Sequence, residues 1–189
     1  MRAPAEEILA GSRTIAAFVR EEVLPELEPV ARDVLVRSAF AEFLCPTFID
    51  TVAGTGDSAA VLRSLSDERG LLFRDGPPRR DGSPRYRVHP VLRRVLLEEF
   101  EALGTEERWQ LRRRAIECFE SEDEIGAAVS TALDTRDSEL IFEVLRRHVA
   151  VLFHLGLTDL VRDAVLVIPD AVVGDDPAAL LDHAELLAY

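Results

Sequence analysis

Lysine and asparagine are both absent from this chain of 189 residues, so all 22 basic residues are arginine. The codons of both missing residues are AT-rich, and a GC-rich genome explains the arginine bias better than a function does. Only two cysteines occur, Cys45 and Cys118, which excludes a disulfide-stabilised scaffold and fits a reducing cytosol. No apolar run approaches the roughly 18 residues that span a bilayer, and no signal peptide opens the chain. These absences predict a cytoplasmic protein without a membrane segment.

The motifs of common enzyme chemistry are missing as well. There is no G-x-x-x-x-G-K-[ST] phosphate loop, and Gly54-Thr55-Gly56-Asp57 lacks the third glycine and the preceding strand of a dinucleotide-binding turn. Neither cysteine has zinc-site spacing, and His148 has no second ligand three or four residues away. The sequence therefore predicts no enzyme and no metal site. It predicts two core thiols and a packed, hydrogen-bonded histidine at position 148.

The charge of the chain is strongly negative and unevenly distributed. The formal net charge is −13, and 48% of the residues are hydrophobic, which predicts a globular chain. Residues 120–189 contain 15 acidic residues and 4 arginines, whereas the first 119 residues are nearly balanced. An acidic segment of this kind repels a phosphate backbone, which argues against DNA binding by the C-terminal third.

Apolar spacing predicts short helices in the first seventy residues. The inward faces predicted for the first two helices are Ile15, Phe18, Val19 and Val23, and then Val30, Val34, Leu35 and Ala39. Pro46 is expected to close the second of these stretches. A short third segment follows from about Thr47 to Val52, and Asp57 or Ser58 can cap a fourth helix.

Residues 71–88 interrupt this helical pattern. Leu71-Leu72-Phe73 predicts a short strand, Tyr86-Arg87-Val88 predicts the returning strand, and the residues between them predict a wide polar loop. Another helix begins near Pro90, a residue that suits a first helical turn. Short helices followed by a hairpin are the order of a winged-helix domain, in which the hairpin is the wing.

The chain after Gly104 again reads as helical. Ser121 and Glu124 form a candidate capping box, an apolar stripe runs from Leu140 to Leu152, and a last helix begins near Pro177. Short loops between such helices predict antiparallel helical hairpins of the TPR-like type. The predicted fold is therefore mainly α. A linker (1–13) precedes a winged-helix domain (14–103) with a β-hairpin wing, and the start of a helical-repeat domain (104–189) follows.

An arginine cluster lies on or beside the predicted wing. Its members are Arg74, Arg79, Arg80, Arg85, Arg87, Arg93 and Arg94. Three interpretations remain open: contacts to DNA phosphates, docking against an acidic surface or a nucleotide phosphate, and a solvated loop. The helix that would read DNA, near residues 57–68, combines few arginines with several acidic residues, which is a poor groove-reading surface. DNA contact by this region is therefore disfavoured.

His89 is the most distinctive single residue, because it ends the second predicted strand directly before a helix. A histidine there can present one ring N–H outward, which suits a phosphate contact, and it can change charge near neutral pH. The alternative is a histidine that bonds a local carbonyl. Spacing alone favours this second interpretation.

Several segments, taken in order, resemble a known protein family. They are Ile15 to Leu24, Asp33-Val34-Leu35-Val36-Arg37-Ser38, Tyr86-Arg87-Val88-His89 with Val91-Leu92-Arg93, Ala128 to Leu133, and Ile168-Pro169. Their order and spacing resemble the middle of large LuxR-type transcriptional activators related to the maltose-regulon activator, which belong to the signal-transduction ATPases with numerous domains. Pro90, Arg94 and Ala164 depart from the family pattern of a histidine, an acid and a tryptophan.

The resemblance implies a non-catalytic regulatory module of a multidomain transcriptional regulator. Family members combine an ATPase domain, a winged helix, a helical-repeat sensor and a helix-turn-helix. The resemblance therefore implies ADP or ATP on an ATPase domain outside this chain, with that domain and the helix-turn-helix as partners, and an effector on the repeats. It also implies that His89 touches an ADP phosphate in the resting state. The alternative is a stand-alone winged-helix DNA-binding regulator with a helical dimerisation or ligand-binding tail.

Overall fold

The computed structural model describes residues 15–76, 79 and 82–173. The chain divides into two compact units, one ending at Leu111 and the other beginning at Arg112. The predicted linker, Arg80 and the helix expected near Pro177 lie outside the described residues. The domain boundary between residues 103 and 104 stays a prediction. Within the described part of the chain, no helix is both long and apolar enough to cross a membrane.

The first unit contains short helices, a two-stranded antiparallel sheet and a longer helix. A helical segment from residue 15 ends in the π-helical turn Val19–Val23; then come α1 (Pro29–Arg37), α2 (Pro46–Ala53), α3 (Ser58–Arg63) with the π-helical continuation Ser64–Glu68, β1 (Leu72–Arg74), β2 (Tyr86–Val88) and α4 (Pro90–Glu101). A proline occupies the first position of α1, α2 and α4, where its missing N–H has no helical partner to lose. Gly54, with φ of 72°, ends α2 in the left-handed conformation.

The predicted hairpin is confirmed, with β1 and β2 as its strands. Phe73 lies opposite Arg87 in the register, and Arg74 lies opposite Tyr86. On the other side of β2, Leu44 and Tyr86 exchange two backbone hydrogen bonds of 2.7 and 2.8 Å. The wing is therefore joined to the domain through the backbone of the segment that precedes α2.

The core of the first unit is aromatic and aliphatic. The ring centroid of Phe40 lies 6.5 Å from that of Phe48 and 5.1 Å from that of Phe100. Phe48 and Phe100 are fully buried. Burial of such a side chain contributes about 1.5–3 kcal/mol, so these rings hold α2 and α4 together.

Part of the predicted inner face of the first two helices is wrong. Ile15 and Phe18 are 49% and 57% exposed, whereas Ala16 and Val19 are buried. The Leu24 N–H donates to the Val19 carbonyl at 2.9 Å, a five-residue step that a 3.6-residue period does not anticipate. Val30 is likewise 55% exposed, because it lies in the first turn of α1 and not on its buried face.

Pro46 also has a different role from the predicted one, because it begins a helix and does not end the preceding stretch. The second helix stops earlier, at Arg37. There the Ser38 hydroxyl donates to the Val34 carbonyl at 2.6 Å, so a side chain satisfies a carbonyl in the last turn.

As far as residue 173, the second unit consists of helices that pack as helical hairpins. They are α5 (Thr105–Ser121), whose residues from Arg112 onward belong to this unit, α6 (Ile125–Thr135), α7 (Ser138–His154), α8 (Thr158–Leu166) and α9 (Asp170–Val173). Asp137 caps α7 by accepting the backbone N–H groups of Glu139 and Leu140 at 3.1 and 3.2 Å. The predicted stripe of α7 is confirmed, since Ile141, Val144, Leu145 and Leu152 are buried.

The capping box predicted from Ser121 and Glu124 is wrong. The hydroxyl of Ser121, the last residue of α5, donates to the Cys118 carbonyl at 2.8 Å. Glu124 is itself the N-cap of α6 and makes no side-chain capping bond. Asp123, with φ of 60°, reverses the chain between them, so the local geometry of a capping box does not arise.

Candidate functional site

His89 connects β2 to α4 and has a fixed backbone. Its N–H donates to the Leu71 carbonyl at 3.2 Å, and its carbonyl accepts the Arg93 N–H at 2.9 Å. The imidazole is exposed and makes no capping bond to α4. The fold therefore presents this side chain to solvent from a position that both neighbouring elements define.

Arg87, in the middle of β2, is paired with two carboxylates. Its Nε and one terminal nitrogen donate to Asp75 Oδ2 at 3.1 and 2.9 Å, and the other lies 3.1 Å from Glu42 Oε1. The hydrogen bond with Asp75 is the main cause that raises the pKa of Arg87 above its ordinary value. Burial opposes this rise, and the charges of Asp75 and Glu42 add to it. The Arg87 charge is thus neutralised within the domain.

Two further wing arginines contact the same segment. The Arg85 guanidinium carbon lies 3.9 Å from the centroid of the Phe43 ring, a cation–π contact. Arg79 donates to Cys45 Sγ at 2.6 Å. We name these contacts the arginine clasp. In it, Arg79 contacts Cys45, Arg85 contacts Phe43, and Arg87 contacts Glu42 and Asp75.

The described members of the predicted cluster outside the clasp make other contacts. Arg93 donates to the Phe40 carbonyl at 3.0 Å. Arg74 is 64% exposed and lies 3.7 Å from Asp67, and Arg94 lies 3.9 Å from Glu98. The structure therefore brings three of the predicted arginines together and turns them towards their own domain.

In the helix considered for DNA reading, α3 with its continuation and the following Arg69, two polar side chains contact groups of the same unit. Arg69 donates to the Glu26 carbonyl at 3.0 Å, and the Ser64 hydroxyl donates to Glu68 at 2.8 Å. Asp67 and Glu68 place negative charge on this helix, where a groove-reading surface needs donors and cations.

Both cysteines are buried thiols, as predicted for the core. Cys45 is the N-cap of α2, and its sulfur accepts the Phe48 N–H at 3.4 Å. This bond replaces the oxygen of the usual capping residues, so the thiol has a structural role at the start of α2.

The second unit contains one half-buried polar cluster that joins α5 to α7. Glu120 Oε1 lies 2.7 Å from His148 Nε2 and 3.2 Å from an Arg147 terminal nitrogen. The Glu120 side chain is 16% exposed and that of His148 is 21% exposed. The predicted packed, hydrogen-bonded histidine is confirmed.

A comparison with protein families finds a match to most of the first unit. Residues 20–108 match the MalT winged helix domain. The matched residues include His89 and all members of the arginine clasp. The MalT winged helix domain is a regulatory, non-catalytic domain, and the match suggests part of a multidomain regulator. The predicted resemblance is confirmed for this domain, and the LuxR-type character of the longer protein stays a prediction.

The chain is also similar to segments of longer proteins. It is 29% identical over 127 residues to the serine/threonine-protein kinase PknK of two strains of Mycobacterium tuberculosis and of Mycobacterium bovis. The alignment covers 67% of this chain and 11% of the kinase. The chain thus spans about a tenth of the length of these relatives.

The residues that sequence reasoning missed are the acceptors of the clasp. Glu42 and Phe43 lie in a segment without a recognisable motif, about forty positions before the arginines that they contact. The available signal was the wing itself. A hairpin with so many cations predicts that carboxylates or aromatic rings of another segment lie beside it, but it does not identify that segment.

Proposed function

We propose that this chain is a non-catalytic regulatory module of a multidomain LuxR-type transcriptional regulator. Its MalT-type winged helix holds the ADP-bound resting state of an ATPase domain outside these 189 residues. The helices from α5 onward begin a TPR-like repeat that binds a small-molecule or protein effector. The observation that carries this proposal is the exposed imidazole of His89 on a fixed backbone.

The physical argument rests on the chemistry of a phosphate contact. An imidazole N–H donates well to a phosphate oxygen, and a hydrogen bond to a charged group contributes about 1.5–3 kcal/mol. If His89 makes this bond in the ADP state only, it shifts the equilibrium towards that state by the same free energy. Effector binding and exchange of ADP for ATP then act against this contact.

The arginine clasp supports a regulatory role over a DNA-binding role. Winged helices that bind DNA use wing cations to neutralise phosphates and release counterions. In this wing, Arg79, Arg85 and Arg87 contact groups of their own domain. Fewer cations thus face outward than the sequence indicates.

The decisive experiment substitutes His89 in the longer protein that contains the ATPase domain. We expect His89→Ala to accelerate ADP dissociation about ten- to hundredfold, because the charge-assisted bond is lost, and to raise basal transcription. Stopped-flow release of a fluorescent ADP analogue measures the rate. His154→Ala, at an exposed histidine on α7, is the matched control and should leave the rate unchanged. An unaltered rate for His89→Ala contradicts the proposal.

Two observations favour functions other than the regulation of transcription by a larger protein. The likeness to PknK concerns a protein named as a kinase, so we include regulation of an activity other than transcription. The second candidate function is a stand-alone DNA-binding winged helix. The largely exposed Arg74 at the end of β1 favours it, and direct DNA titration tests it.

A further inference from the structure

We propose that the arginine clasp acts as a strap on β2: its ion pairs and its cation–π contact hold the end of this strand and so position His89. Glu42, Phe43, Asp75, Arg85 and Arg87 are then positioning residues, because they act on His89 through the strand between them. The consequence for nucleotide binding rests on the proposed function above, whereas the strap itself does not.

The link between the clasp and His89 is the alternation of β2. Successive side chains of an extended strand point to opposite faces, so Arg85, Arg87 and His89 share one face. Tyr86 and Val88, on the other face, are buried in the domain. The clasp thus holds the outward face of the strand whose next residue on that face is His89.

On its inward face, burial and backbone hydrogen bonds, and not ion pairs, attach β2 to the rest of the domain. Tyr86 is buried and exchanges backbone hydrogen bonds with Leu44, so its attachment does not depend on charge. The outward face depends on ion pairs and a cation–π contact. Loss of the clasp is therefore expected to loosen the end of β2 without unfolding the domain.

Exposure makes the ionic part of the strap sensitive to salt. The side chains of Arg87 and Asp75 are each 38% exposed, and that of Glu42 is 71% exposed. Charges at such sites are screened, since the Debye length falls from about 10 Å at 0.1 M salt to about 3 Å at 1 M. Rising ionic strength should release Arg87 first, because the contact of Arg85 with Phe43 is less dependent on salt.

Amide hydrogen exchange of the 189-residue chain, read residue by residue by NMR, tests the strap. The reporters are the N–H groups of Arg87, which pairs with Phe73, and of His89, which donates to Leu71. We expect Arg87→Gln to exchange about two- to fivefold faster at both reporters, because two partly exposed ion pairs are lost. The wild type should show the same change between 50 mM and 1 M salt, which tests the strap without any substitution.

Controls separate a strap from general destabilisation. Arg94→Gln removes a neighbouring arginine that pairs with Glu98, and it should leave both reporters unchanged. Arg87→Lys keeps the charge and should restore most of the protection. The free energy of unfolding of Arg87→Gln, from urea denaturation, should fall by no more than about 0.4–1 kcal/mol, which is the two- to fivefold change converted to free energy. Reporters that do not respond to Arg87→Gln or to salt overturn the strap, and so does exchange that accelerates more in the rest of the first unit than at the two reporters.

The outcome is independent of the ATPase domain. If Arg87→Gln loosens the reporters but His89→Ala leaves ADP release unchanged, the strap stands and the proposed function fails. If His89→Ala accelerates ADP release but the reporters do not respond, the strap fails and the proposed function stands. If both hold, Arg87→Gln in the longer protein should also accelerate ADP release, and Arg87→Lys should reverse most of that effect.

Discussion

Two residues between helices of the second unit have a backbone conformation that costs free energy. Asp123 and Arg136 have φ values of 60° and 58°, in the left-handed region that suits glycine. Each such position costs about 1–2 kcal/mol for a residue with a Cβ. These costs are the geometric requirement of short turns, because Asp123 lies between α5 and α6 and Arg136 ends α6.

We expect Arg136→Gly to raise the free energy of unfolding by up to about 1 kcal/mol, because relief of the strained φ exceeds the extra chain entropy that glycine loses. Urea denaturation followed by circular dichroism measures the change. Gly156→Ala is the reverse substitution, at a φ of 73° with open space around an added Cβ. It should lower the free energy of unfolding by about 1 kcal/mol. A loss of stability in Arg136→Gly contradicts this account.

Single residues also show how far sequence reasoning reaches. The role of His148 follows from its place in the apolar stripe of one helix, and the structure confirms it. The partners of Arg79, Arg85 and Arg87 do not follow, because they depend on which distant segment lies beside the wing. A local pattern identifies a charged loop, whereas only the tertiary fold shows which way each charge points.

At the scale of elements, α4 holds the first unit together. Its inner face buries Leu92, Val95, Leu96 and Phe100. Its polar residues contact earlier parts of the unit: Arg93 donates to the carbonyl of Phe40, between α1 and α2, and Glu99 accepts two hydrogen bonds from Arg32 of α1 at 3.0 and 3.1 Å. The helix that follows His89 is therefore fixed by apolar and polar contacts together.

Truncation of α4 at its largest buried ring should strongly destabilise the first unit. We expect Phe100→Ala to cost about 3–5 kcal/mol, because it removes a fully buried ring and leaves a cavity beside Phe40. The urea midpoint, or the loss of near-ultraviolet circular dichroism if the unit unfolds, measures the effect. Phe73→Ala, at a ring that is 42% exposed on β1, should cost less than about 1 kcal/mol. Equal effects of the two substitutions would show that the ring cluster is not the core.

Most elements are predictable because their signals are local. Prolines begin helices, turn residues flank the strands, and apolar stripes of α4 and α7 have the regular helical period. The role of Pro46 and the start of α6 were predicted wrongly, and so was the inner face of the first helix. Its π-helical turn bonds the Leu24 N–H to the Val19 carbonyl and buries both residues, whereas the 3.6-residue pattern aligned Val19 with Val23 and so included Ile15 and Phe18 on the inner face. Irregular turns of this kind are set by packing, which a single sequence does not display.

At the scale of the whole molecule, charge limits the range of partners. The net charge of −13 disfavours binding to a polyanion, and Arg79, Arg85 and Arg87 of the wing contact groups of their own domain. A regulatory domain that docks on a protein surface is compatible with this distribution, whereas a DNA-binding domain needs uncompensated cations on one face.

We therefore expect this chain not to bind mixed-sequence duplex DNA with submicromolar affinity at 50 mM salt. Fluorescence anisotropy at about 50 and 200 mM salt measures it, because phosphate contacts weaken steeply over this range. Tight binding that collapses at the higher salt would contradict our proposal and support the DNA-binding alternative. Arg74→Gln, which removes a largely exposed wing cation, would then show whether the wing is the contact surface.

The arginine clasp has a further consequence for the lifetime of the chain in the presence of proteases. A chain without lysine offers trypsin only arginine sites, and an arginine-rich surface loop would ordinarily be the first of them to be cut. Trypsin has to draw the arginine side chain into its own specificity pocket. The guanidinium groups of Arg79, Arg85 and Arg87 are already in contact with Cys45, Phe43 and two carboxylates. While the clasp is closed, the hairpin is therefore shielded from cleavage at these three arginines, although it is the most arginine-rich part of the sequence.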